Sequence, residues 1–396
     1  MTADDLGATR PISVGRGTLD RHYPQMVVDV AAVDHNIAVV SAWCHRNRVE
    51  LAPHIKTTMS VAIVERQRAA GARTVTVATI GQAAIALGWG CRSVLVANEI
   101  VDPFELDAVR RWREQDPDLE LLCFVDSEAA VGLAGRTFAG TGLALDVIVE
   151  VGTPGGRAGA RTLSEAVSVA TAARTTSGVR LIGVGGYEGV SPNVRTLDVL
   201  EAVDAQCRLA TDVFGACLEL CETSTPVFTM GGSAFPDRVV DNLPPRSATP
   251  MARFLVRPGC YVTHDHGIYA HVSPFADLRP AVTVEALVIS IPEAGLAVIG
   301  AGKRDLPYDA GAPVPLSAQN GDEAPRDLRN SSVRAIFDHH TVLNTSRHVD
   351  VSDVLRLGIS HPCSAFDRWP TFLAELPDGR AELWTTNFTR HVEYDI

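Results

Sequence analysis

Between residues 26 and 234, short apolar runs alternate with amphipathic stretches of helical period. The runs are Met26–Val30, Glu50–Lys56, Thr74–Thr79, Ser93–Asn98, Leu119–Asp126, Leu145–Gly152, Arg180–Tyr187 and Pro226–Gly232. They are rich in Val, Ile and Leu and alternate little, the pattern of parallel strands buried on both faces. Val33–Arg46, Pro103–Arg113 behind an Asp102 cap, Ser164–Arg174 and Leu197–Leu220 read as helices. Eight strands, each followed by a helix, predict an α/β fold of the (β/α)8 TIM-barrel kind over residues 22–265, in preference to an open doubly wound sheet. Beyond residue 265 the pattern turns extended, as in Pro280–Pro292, Gly295–Ile299, Leu343–Val349 and Glu382–Val392. A β-rich domain is expected over residues 266–396, joined by roughly residues 1–21. Pro307–Arg329 reads as loop.

With 46% apolar and 21% charged residues, the 396-residue chain has the profile of a compact protein. A net charge of −12 and the lack of any basic run argue against nucleic acid and anionic membrane as partners. There is no apolar run of spanning length and no secretory core near the start, so a cytoplasmic protein is expected. The eight cysteines form no CxxC pair, and most lie in apolar runs as small core residues.

Lysine usage changes the picture. Of 35 basic residues only Lys56 and Lys303 are lysines. Arginine cannot form a Schiff base with an aldehyde, whereas lysine can. Lys56 ends the second predicted strand (LAPHIKTT), on the face where barrels place their chemistry. A low dielectric there lowers its pKa and frees a neutral amine. A surface lysine at a strand end is the plainer alternative.

Ordered pieces along nearly the whole chain carry a resemblance: MVVDVAAVDHNI (26–37), PHIKTTM (53–59), TVATIGQ (76–82), LVAN (95–98), EVGTPGGRAG (150–159), GGYEG (185–189), MGGS (230–233), RPGCY (257–261), Gly302–Lys303 and SHPC (360–363). Together they resemble the fold-type III pyridoxal-phosphate enzymes with an alanine-racemase-like barrel, specifically the D-serine dehydratase and D-threonine aldolase family. The resemblance implies that Lys56 carries pyridoxal 5'-phosphate. Thr58 and Met59 depart from the His and Lys that often follow this lysine.

Gly231, Gly232 and Ser233 follow the last predicted strand and offer bare amides and a hydroxyl for a phosphate. By the resemblance, Gly259 and Tyr261 occupy a second cofactor-side position, Arg157 lies beside the phenolic oxygen, and Tyr187 lies near the pyridine ring. Gln82 and Asn98 end barrel elements and are candidate polar contacts, with helix capping as the rival role. His361 and Cys363, two residues apart, would point the same way in an extended segment, and imidazole with thiolate favours Zn2+. The resemblance places the metal here, because the dehydratase branch has HxC where the aldolase branch has His and Asp. His264 and His266 share the spacing but inherit no metal role, and His339–His340 would diverge. Lys303 receives no chemical role.

The resemblance thus implies a lyase that converts a D-3-hydroxyamino acid such as D-serine to a 2-oxo acid and ammonia. D-threonine aldolase cleavage and D-threo-3-hydroxyaspartate dehydration are the enzymatic alternatives. A shorter cofactor-carrier barrel is the non-enzyme alternative, and imine chemistry without pyridoxal phosphate is a third. A homodimer is expected.

Overall fold

Seven of the eight apolar segments, with Arg253–Val256, pair as one curled parallel sheet. The computed structural model describes residues 12–14, 22–321, 323–390, 392 and 394. The sheet order is Glu50–Leu51, Arg253–Val256, Val227–Thr229, Val179–Gly186, Leu145–Val151, Glu120–Val125, Ser93–Glu99 and Val75–Val77. Its two ends meet where His54 bridges Thr76 and the Thr76 amide donates to Pro53 O at 2.8 Å. Inside the barrel, Ala52, Leu95, Leu122, Phe124, Ile148, Ile182, Val227 and Leu255 form a separate buried cluster. The barrel is therefore a packed core with chemistry left to its rim.

The count of eight strands holds, but its membership does not. Met26–Val30, expected as the first barrel strand, is strand over Gln25–Asp29 and pairs with Val282–Glu293 and Thr371–Glu375 in the second sheet. There Met26 and Val28 join the main core, while Val27 packs with Leu373 and Ala381 on the other face. Burial on both faces gives the same unalternating run in either sheet, so the pattern could not discriminate. The true eighth strand, Arg253–Val256, has four residues behind a Pro-rich loop, too short to register as an element. Glu50–Lys56 is strand only at Glu50–Leu51, then bends into a 3-10 turn at Ile55–Thr57.

The helices begin where cap chemistry dictates. Asp102 accepts from Phe104 N at 2.9 Å, and Thr162 with Glu165 forms a capping box before Leu163–Thr175. Asp29 caps Val30–Asn47, accepting from Ala32 N at 3.0 Å. Asn36 on that helix donates to Val262 O and Arg279 O and accepts from Arg279 N. This pins the helix to the turn that follows the last barrel strand.

Among the described residues the second sheet has eleven strands, with Val282–Glu293 near its centre. The stretch 307–329 is not all loop, because Val314–Gln319 and Arg326–Asp327 pair within it. Among the described residues no helix is long and apolar enough to cross a membrane.

Gly183 pairs with Val227 across two barrel strands, and a Cβ there would overlap Val227 O. The obstacle is backbone, which cannot rotate aside. Gly183→Ala should destabilise the protein by about 3 kcal/mol, an overpacking cost. A urea midpoint equal to wild type would refute this.

Candidate active site

The first barrel strand delivers Lys56 to the rim through a turn held from the opposite end of the barrel sequence. His54 N donates to Pro258 O at 3.1 Å. Gly259 lies so close to this turn that a Cβ would sit 2.5 Å from Thr57 Oγ1 and 2.8 Å from His54 O. Lys56 is half-buried. Burial holds its pKa below the ordinary lysine value; Cys363 opposes that, and the Arg157 charge adds to it. A buried amine with a depressed pKa is available as a neutral nucleophile.

Lys56 opens on a cavity of about 250 Å³, lined also by Asn98, Glu150, Arg157, Tyr187 and Arg257. The Arg157 guanidinium stacks 4.7 Å from the Tyr187 ring centroid. Arg257 is buried, donating to Thr229 Oγ1 at 3.0 Å and Gly186 O at 2.5 Å. Burial pulls its pKa down to about 10. Two carboxyls, Glu99 and Glu150, share the cavity wall. Burial and a hydrogen bond with Glu150 push Glu99 up to about 8. His54, also on the wall, is held well below the usual histidine range by burial, and its Nδ1 has no partner.

The glycines expected to cradle phosphate are engaged otherwise. Gly231 N and Gly232 N donate to the carboxylate of fully buried Glu188 at 3.1 and 2.6 Å. A second group of donors gathers nearby, where Gly259 N and Cys260 N both donate to Ser233 Oγ at 3.1 Å. Two backbone amides and a hydroxyl at one place suit a phosphate. With the amine of Lys56 and the stacked Arg157, they fit pyridoxal phosphate. Asn98 reaches Ala78 O at 3.3 Å and lines the cavity. Gln82 accepts from Ala78 N at 2.8 Å and faces a neighbouring cavity that Cys363 also lines. Tyr261 lies in the core, its hydroxyl accepting from Gln67 at 2.9 Å, and does not line the Lys56 cavity.

His361 and Cys363 come to this rim from the β-rich domain of the same chain. The segment is not extended, because Pro362 opens a short helix, Pro362–Phe366, with His361 as its cap. That helix packs on the Lys56 turn. Cys363 Sγ lies 3.4 Å from Thr57 Oγ1 and 3.5 Å from Cys260 Sγ. The ligand atoms of Cys260, His361 and Cys363 all lie within 4.8 Å of one another, a grouping that fits a metal ion. Cys260 hydrogen-bonds to Cys363, which holds Cys363 well below and Cys260 well above the usual thiol range. Asp309 meets His361 Nδ1 through Oδ2 at 2.6 Å and accepts from Ser364 through Oδ1. Burial opposes charging of the His361 ring, but Cys363 and Asp309 together push it up to about 9. Among the described residues, His264, His266, His339 and His340 join no such group.

Several participants escaped the sequence reading. His54, Glu150, Glu188, Arg257 and Cys260 lie inside the quoted motifs, yet only the fold reveals that their side chains converge. Glu99 follows LVAN directly. Asp309, in a polar stretch, carries no signal at all.

The alanine racemase N-terminal domain model matches residues 28–263, and the "Putative serine dehydratase domain" model matches residues 281–374. A D-threo-3-hydroxyaspartate dehydratase from Delftia sp. is 26% identical over 93% of this chain and 97% of its own. A D-threonine aldolase from Arthrobacter sp. is 25% identical over 87% and 86%. The crystal structure of D-threonine aldolase from Filomicrobium marinum superposes with a TM-score of 0.77 at 25% identity, covering 93% of this chain and 95% of that one.

The raised Glu99 pKa has a measurable consequence. Folding takes up protons between the ordinary value of 4.5 and about 8. The stabilisation is complete below that window and is lost as pH rises through it. In cofactor-free protein, urea midpoints should fall more steeply with pH across the window for wild type than for Glu99→Gln. Parallel curves would reject the assignment.

Proposed function

Because the chain belongs to the alanine racemase N-terminal domain family of fold-type III pyridoxal-phosphate enzymes, we propose that it is a lyase that dehydrates a D-3-hydroxyamino acid. The products are a 2-oxo acid and ammonia, and D-serine is the simplest substrate. The observation that carries the reading is the meeting of Lys56 with His361 and Cys363 at one rim. An amine for covalent chemistry and a metal-ligand pair there serve a single reacting molecule.

Pyridoxal phosphate, when bound, supplies an electron sink for charge developing at the substrate Cα. Lys56 holds it and, once released, takes the proton from Cα. Gly259 N, Cys260 N and Ser233 Oγ would hold the phosphate end. Arg157, fixed on Tyr187, and Arg257, fixed on Thr229 and Gly186, hold the ring end with cations whose positions are set before substrate arrives. A metal on His361 and Cys363 supplies Lewis acidity for a β-hydroxyl, and this imidazole–thiolate set favours zinc. Asp309 orients His361 by its bond to Nδ1, leaving Nε2 as the ligand atom.

The relatives divide between dehydratase and aldolase. Aldol cleavage needs a base at the β-hydroxyl, whereas dehydration needs that oxygen made a better leaving group. Lewis acidity from a metal held by His361 and Cys363 would meet the second need directly. D-threo-3-hydroxyaspartate is the alternative dehydration substrate.

Holoenzyme incubated with D-serine, D-threonine and D-threo-3-hydroxyaspartate should release 2-oxo acid and ammonia from at least one of them. Glycine with an aldehyde, and no oxo acid from any, would replace dehydratase by aldolase. Lys56→Ala should lower turnover by more than about 10³-fold and abolish borohydride trapping of the cofactor. Cys363→Ala should lose metal and most activity but keep the cofactor's absorbance.

A further inference from the structure

We infer that Cys260 is a third protein ligand of the metal, so that the site is a two-thiolate, one-imidazole centre with one open position. The inference rests on the metal reading above and extends it. In sequence Cys260 belongs to the barrel, in the turn after its last strand, while His361 and Cys363 belong to the β-rich domain. In space its sulfur is 3.5 Å from Cys363 Sγ, and the three ligand atoms fit within 4.8 Å.

The distances suit zinc closely. Sulfurs each about 2.3 Å from a tetrahedral zinc lie about 3.8 Å apart. The observed separation therefore requires a shift of only a few tenths of an ångström. Both sulfurs are also held in place without the metal. Cys260 is buried, and its position is set by the Gly259 turn and by its own amide on Ser233 Oγ. Cys363 rests against Thr57 Oγ1.

A third ligand changes what the metal does. Two thiolates and a neutral imidazole cancel the charge of a divalent ion, which a single thiolate does not. The ion is then resident and soft-selective, with zinc favoured over magnesium or manganese. One position stays free for a substrate hydroxyl. Because the amide of residue 260 lies at the phosphate end and its sulfur at the metal, one residue contacts both bound groups.

X-ray absorption at the zinc edge of full-length holoprotein tests this without mutation. Two sulfur scatterers per zinc are expected, and one would overturn the proposal. Variants give an independent reading through cobalt(II) substitution and chelator competition for zinc. Cys260→Ser should cut the sulfur-to-cobalt charge-transfer band to about half. It should also weaken zinc binding by more than about 100-fold, beyond the loss typical of an outer-shell partner. An unchanged band and affinity would overturn the proposal. Cys363→Ala distinguishes the two levels: if it too leaves metal binding unchanged, the metal site itself is misplaced, whereas loss in Cys363→Ala alone sinks only the role of Cys260.

Discussion

The contact on which the functional rim depends is the approach of two turns, Pro258–Cys260 and His54–Thr57, from opposite ends of the barrel's sequence. The backbone bond from His54 N to Pro258 O joins them, and Gly259 lets them close to a distance at which no Cβ fits. That one contact seats Lys56, sets the amides of residues 259 and 260 on Ser233 Oγ, and fixes the turn from which the sulfur of Cys260 meets that of Cys363. The short helix Pro362–Phe366 then docks against the same turn and adds His361 and Cys363. The Lys56 amine, the amides of residues 259 and 260 and the His361–Cys363 pair are thus registered against one another by backbone rather than by long side chains. This is the rigidity a multi-component site requires.

Charge within the barrel mouth follows a second rule. Arg257 and Glu150 are both buried, and such groups persist only when their polar atoms are met. Arg257 spends its donors on Thr229 and Gly186, and Glu188 spends its oxygens on the Gly231 and Gly232 amides. The residues that read as a phosphate loop therefore serve first as the anchor of a buried carboxylate. The glycines are required, but for holding Glu188. A Cβ on Gly232 would also meet the Tyr187 ring at 2.9 Å.

Much of this was legible along the chain. Lys56 stood out because lysine is scarce and the residue ends an apolar run. The strand periodicity was read as a barrel of eight, and the ordered motifs pointed to the cofactor. What could not be read was membership and convergence. Met26–Val30 has the composition of a buried strand in any sheet. Arg253–Val256 is too short to carry a period. Cys260 reads as one more small core residue, since its partner sulfur lies 103 positions away. Asp309 bonds to His361 from inside a polar stretch where any carboxylate reads as solvated.

The chain crosses between its two layers more than once. Gln25–Asp29 is woven into the β-rich sheet, yet Asp29 also caps Val30–Asn47, the helix that pins the turn after the last barrel strand. A strand of one layer and a helix of the other are thus consecutive along an unbroken backbone, with no spacer to act as a hinge. The two layers cannot be cut apart at a single point: a fragment ending near residue 265 would keep that strand but leave it stripped of both neighbours. The architecture has two sheets but behaves as one indivisible folding unit.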